Sequence, residues 1–161
     1  MKIGTFRILV STNARWFQGR RREKSAALAN AESVLGVKFP DSLKWLLRDW
    51  GYSAASGIPS LASAVEATLR CRSALGLPRR YVVLEDRNDA GVVILDTAAH
   101  PDPESCPVYR VGTHNLGRLA ANQRMDADCD WFAGFGEWVE SELNRVKAET
   151  LGHGPGISPR D

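Results

Sequence analysis

The sequence predicts an α+β domain, and three observations carry the prediction. Apolar residues recur at helical spacing through residues 27–50. Runs rich in β-branched residues then occupy 81–111, and a last helical stripe follows near 132–143. Helices, then strands, then a helix implies a sheet with antiparallel or mixed strands rather than a doubly wound one. At 161 residues the chain is long enough to bury one core without disulfides or metals.

Residues 3–10 suit a strand, with a helix as the alternative. Ala27, Leu28, Ala31, Val34 and Leu35 form a helical stripe that ends at Gly36, a residue suited to a left-handed cap. Pro40 and Asp41 open a second helix, where Pro tolerates the first turn and Asp can cap. Leu43, Leu46, Leu47 and Trp50 give it one buried face, and Gly51 stops it. Ser63 and Glu66 have capping-box spacing. A helix from there to about Leu75 would turn Val65 and Leu69 inward and end at Gly76 and Pro78.

Tyr81–Leu84 and Gly91–Leu95 read as a β-hairpin around the turn residues Asp86, Arg87, Asn88 and Asp89. A third strand follows at 107–111, with Pro107 at its start or on an edge. Asp130 can cap the last helix, which carries Phe132, Phe135, Val139 and Leu143 on one stripe. Gly134 and Gly136 weaken that helix by about 1 kcal/mol each, and their spacing admits another backbone.

Charge is segregated along the chain although the net is only +2. Residues 1–24 hold seven Lys and Arg against Glu23; residues 85–104 hold six acidic residues against Arg87; residues 126–142 hold six acidic residues and no basic one. Such blocks either steer partners or interleave in space. Hydrophobic residues are 43% and charged residues 25%, which excludes a disordered chain or a fibre. No apolar run reaches the roughly 20 residues of a membrane span. The N-terminal run is broken by Arg7 and reads as no export signal. Three cysteines, odd in number and far apart, suit reduced thiols, so a cytoplasmic location is expected.

Few residues ask for chemistry. There is no nucleophile elbow, no Walker loop, no C-x-x-C and no His-Glu-x-x-His. No enzyme activity, cofactor or metal is therefore expected. Cys71, within a predicted helix, reads as a small buried hydrophobe. The arm around Trp16, Phe17, Arg20, Arg21 and Arg22 mixes aromatics with arginines, a combination that can bind nucleic acid. The near-neutral chain argues against that partner.

From Leu28 to Gly51 the sequence resembles the SUKH superfamily. Glu32, Leu35-Gly36 and Phe39-Pro40 match its opening helix and corner, while Trp50-Gly51 departs from the usual Asn-Gly. Tyr81–Leu95 is similar to the family's central hairpin with its acidic turn, Pro107-Val108-Tyr109 to its next strand, and Phe135 with Trp138-Val139 to its closing helix. The resemblance covers about residues 26–145.

It implies a single SUKH-like α+β domain over 26–147, after an N-terminal extension (1–25) and before a disordered tail (148–161). Leu35, Gly36, Pro40 and Trp45 become fold markers, and no catalytic residue is implied. The resemblance also implies a bacterial immunity protein that neutralises a cognate toxin domain such as a nuclease or deaminase; a monomer or weak homodimer is expected. Glu85, Asp86, Asp89 and Asp96 are the expected toxin-binding patch, because nucleic-acid-cleaving toxins present basic grooves. The alternative is a regulatory adaptor or nucleic-acid module using the arm at Arg20–Arg22.

Overall fold

The computed structural model describes residues 1–19, 21–126 and 129–152. Helix α1 (Ile3–Thr12) and the single turn α2 (Ala14–Phe17) lead into α3 (Ser25–Leu35), α4 (Asp41–Trp45) and α5 (Leu61–Leu75). A hairpin of β1 (Tyr81–Asp86) and β2 (Val92–Asp96) follows, then β3 (Val108–Val111) and α6 (Thr113–Ala120). The described chain ends with β4 (Trp131–Phe132) and α7 (Phe135–Gly152). The sheet has the order β1-β2-β3-β4, antiparallel throughout. This is the α+β architecture that the order of patterns predicts.

The sheet is covered on both faces, which explains why β2 is buried at every position instead of alternating. Val82, Leu84, Val93, Leu95 and Val108 join the larger cluster with α1, α3, α4 and α7. Val83, Val92, Ile94 and Val111 join a smaller one with α5 and α6. One extra residue, Leu84, interrupts the β1–β2 register between Val83 and Glu85. The outer edge of β1 is closed by α5: the Val83 N–H donates to Thr68 Oγ1 at 2.9 Å. A side chain thus replaces a missing strand partner.

Residues 3–10 take the helical alternative and do not enter the sheet. Phe6 and Val10 are fully buried, and Phe6 packs edge-on against Trp45 and Phe135. The basic arm is strapped to the domain. Gly19 N–H donates to the Trp50 carbonyl, Tyr52 N–H to that of Arg21, and Glu23 N–H to that of Leu47. The Tyr52 hydroxyl fastens the strap, donating to Glu23 at 2.6 Å and accepting from the Leu61 N–H at 2.7 Å. Burial and the Glu23 bond raise the phenol pKa well above its ordinary value.

Gly36, Gly51 and Gly76 all terminate helical segments, as their positions predict, and all three do so with positive φ, which the sequence predicts for Gly36. Four local expectations are corrected. The second helix runs as α only to Trp45 and continues as a π-turn over Leu46–Trp50. Asp41 does not cap that helix; its Ser42 N–H donates instead to Glu104, 62 residues away. The cap of α5 is Ser60, whose hydroxyl accepts from Ser63 N–H at 3.0 Å, and the helix begins earlier, at Leu61. That start puts Ala64, Ala67, Thr68 and Cys71 inside and leaves Leu69 42% exposed. Finally, Phe132 lies in β4, and α7 starts only at Phe135 rather than behind an Asp130 cap.

Ser60→Ala is expected to cost about 1 kcal/mol of unfolding free energy, as loss of an N-cap does. Urea titration of both serine variants checks this. An equal or larger loss at Ser63→Ala would contradict the assignment of the cap.

Gly134 is a point of close backbone approach, as the glycine spacing suggests: a Cβ there would strike the Glu104 carbonyl. The loop before β3 is thereby pressed against α7. Helix α7 extends through Gly152, and the remainder of the chain, from His153, lies outside the described residues, as do Arg20 and Asp128.

Candidate partner-binding surface

The hairpin tip is built by local turn chemistry. Arg87 N–H donates to the Gly91 carbonyl, a 3-10 turn spans Asn88–Ala90, and Asn88 takes φ 54. Gly91, at φ 95, lies so close to β3 that a Cβ would meet the Val111 carbonyl.

Three of the four expected patch residues meet at this tip, but two are engaged within the domain. Glu85 accepts from Arg87 Nε at 2.8 Å. Asp86 accepts from the Asn88 N–H at 2.8 Å and pairs with Arg70. Asp89 is exposed and has no ionic partner among the described residues. Asp96 stands apart: it pairs with Tyr81 in the register, at the open end of the hairpin, while Asp86 pairs with Val92 at the tip. It is 4% exposed and clamped by Arg80 through bonds of 2.7 and 2.6 Å.

The acidic block at 126–142 also interleaves with cations. Arg110 lies 3.7 Å from Asp130, Arg118 lies 3.6 Å from Asp126, and the Met1 amino group pairs with Glu137. Glu142 is the most internal of these carboxylates, with a side chain only 1% exposed. It accepts from Arg110 at 2.6 Å and from Arg145 at 2.8 Å, and Arg87 stands 3.6 Å away. Burial acts to raise its pKa, but the arginine hydrogen bonds outweigh this and hold it below the ordinary glutamate value.

The residues that carry the family resemblance do structural work. Glu32 is nearly buried and accepts from the Phe39 N–H at 2.8 Å, closing the corner between α3 and α4. Lys44 stands 3.6 Å from the same carboxylate. Gly36 supplies the left-handed turn at that corner, and Leu35 fills the core beneath it. Trp45 spreads between Arg7, Phe6 and Trp50. Cys71 and Cys106 are buried and Cys129 is half-buried, and burial pushes all three thiols up.

Among the described residues no group of three His, Cys, Asp or Glu side chains is placed to hold a metal ion. Nor is any helix there long and apolar enough to cross a membrane.

A family model described as SMI1-KNR4 cell-wall matches residues 11–118, which span α3, α4, α5, the hairpin, β3 and most of α6. No curated protein matches the chain. The match contains the Glu32 corner and the central hairpin with its acidic turn, and on that basis the chain belongs to the SUKH (SMI1-KNR4) family.

Proposed function

We propose that this protein is a bacterial immunity protein that binds and neutralises a cognate toxin domain, a nuclease or a deaminase, in the producing cell. Family membership carries the reading, since the SUKH family is generally non-enzymatic and works through protein partners. The hairpin tip offers the contact. Asp89 projects there with its charge uncompensated, beside Glu85 and Asp86, whose carboxylates are already oriented by Arg87 and Arg70. Pre-oriented carboxylates lose little side-chain freedom on binding a basic groove. Asp96 contributes by holding Arg80 at the other end of the hairpin.

The test is capture of the partner from producing cells, followed by growth rescue. The captured domain must arrest growth when expressed alone, and co-expression of this protein must restore it. A partner without toxicity, or toxicity without rescue, sinks the reading. Asp86→Lys with Asp89→Lys is expected to slow association with the toxin by about tenfold at low salt and to flatten its salt dependence, as reversal of interface rim charges does. Stopped-flow mixing across salt measures both. An unchanged association rate would place the contact elsewhere.

A further inference from the structure

A second surface, sharing no residue with the hairpin tip, carries an unbalanced positive charge over exposed apolar side chains. Two clefts of about 570 and 930 Å³ join along α3 through Ser33, Gly36 and Arg79. Val34 at the end of α3 and Leu69 on α5 flank the first cleft, and they are 50% and 42% exposed.

The cations beside them are incompletely neutralised. Arg72 gives its hydrogen bonds to the carbonyls of Leu35, at 2.8 Å, Arg79, at 2.6 Å, and Tyr81, at 3.5 Å. Carbonyls orient a guanidinium but do not cancel its charge. The Arg72 Nε–H is buried and finds no acceptor among the described residues. Arg79 is exposed and has no carboxylate partner there, and its like charge acts on Arg72. In the second cleft Lys38 is 81% exposed and only grazes Glu32, at 3.9 Å. The one carboxylate lining this cleft, Glu32, is nearly buried and already held by Phe39 N–H, and Arg80 is neutralised by Asp96 from outside the lining.

We propose that this groove between α3 and α5 docks an acidic polypeptide segment, whose carboxylates pair with Arg79 and Lys38, in the positive field to which Arg72 adds, and whose apolar side chains cover Val34 and Leu69. Charge complementarity calls for an anion. The apolar pair selects a polypeptide over a nucleic acid, because phosphates gain nothing from Val34 and Leu69, whereas an amphipathic segment buries them. The proposal does not depend on the partner being a toxin.

Fluorescence anisotropy with the full chain tests it, using a labelled amphipathic peptide made only of Glu, Leu and Ala. Saturable binding at low salt is expected, and it should weaken as salt rises. Lys38→Glu with Arg79→Glu should raise Kd by about tenfold, equivalent to about 1.4 kcal/mol. Leu69→Ser should weaken binding several-fold, and Glu140→Gln, at an exposed position on α7, should leave it unchanged. Circular dichroism and thermal melting confirm that each variant is folded.

Several results overturn the proposal: no saturation at low salt, equal binding of a peptide with Gln in place of Glu, or an unchanged Kd in the double charge reversal. Tighter binding of a single-stranded DNA oligonucleotide, insensitive to Leu69→Ser, would assign the groove to nucleic acid instead. Self-association in sedimentation that Arg79→Glu abolishes would assign it to a second copy of the chain.

Discussion

Glu142→Ala is expected to destabilise the protein by about 2–3 kcal/mol, the cost of losing charge-assisted hydrogen bonds to a buried carboxylate whose arginine partners stay partly solvated. The size follows from what remains. Arg110, Arg145 and Arg87 converge on this one carboxylate from β3, α7 and the hairpin tip. Without it, three partly solvated guanidinium groups repel one another around the space the carboxylate filled. For a chain of this length the melting temperature should fall by about 2–4 °C per kcal/mol.

The pH dependence supplies an independent check with a definite sign. The folded pKa of Glu142 lies below its unfolded value. Its contribution is therefore fully present above the ordinary glutamate pKa and is lost as pH falls through the depressed folded value. Glu142→Gln keeps the shape and one acceptor but lacks the titration. The stability gap between wild type and this variant should be widest near neutral pH and narrow on acidification. A gap that stays constant from neutral to acidic pH contradicts the role assigned to the cluster.

Gly51→Ala is the second large effect, expected to exceed about 3 kcal/mol from the sum of backbone strain and overpacking. At φ 82 and ψ −154, Gly51 occupies a region essentially closed to residues with a Cβ. A Cβ there would also strike the Arg21 carbonyl, the same oxygen that accepts from Tyr52 N–H. Relieving the collision requires the basic strap to lift, which would uncouple Gly19–Glu23 from Leu47–Tyr52. Gly36→Ala is the control. It shares a positive φ of 68, but a Cβ there meets nothing within 4 Å, so only the left-handed penalty of about 1–2 kcal/mol applies. Chemical denaturation of the pair measures the difference, and equal losses would show that the strap contributes nothing. Greater amide exchange in residues 19–23 of the Gly51 variant would locate the opening.

How legible this was depends on the range of the interactions. The α3 stripe, its Gly36 stop, the hairpin and β3 were readable because periodicity, turn residues and glycine conformation act within a few positions. The cap of α5 was misplaced by three residues because Ser63, with Glu66 behind it, satisfies the capping-box rule and Ser60 does not. Burial of Ala64, Ala67 and Cys71 against the sheet decides between them. Helix α6 is short but strongly amphipathic, with Leu116 and Leu119 inward, a signal that could have found it; the two-residue β4 carried too little pattern, and it exists because Trp131 and Phe132 pair with β3.

The acidic patch shows the same divide. Sequence alone determined that Glu85, Asp86 and Asp89 share one turn, since a hairpin fixes its own tip. It also carried the family, whose markers cluster in the α3–α4 corner and the hairpin. Only the tertiary structure decided which carboxylates remain free. Arg70, Arg80 and Arg110 come from distant positions to neutralise Asp86, Asp96 and Glu142, while Arg72 and Arg79 are left unbalanced beside Val34 and Leu69. Charge along a chain is additive, but a charged surface depends on pairing across a few ångströms, and folding alone sets those distances.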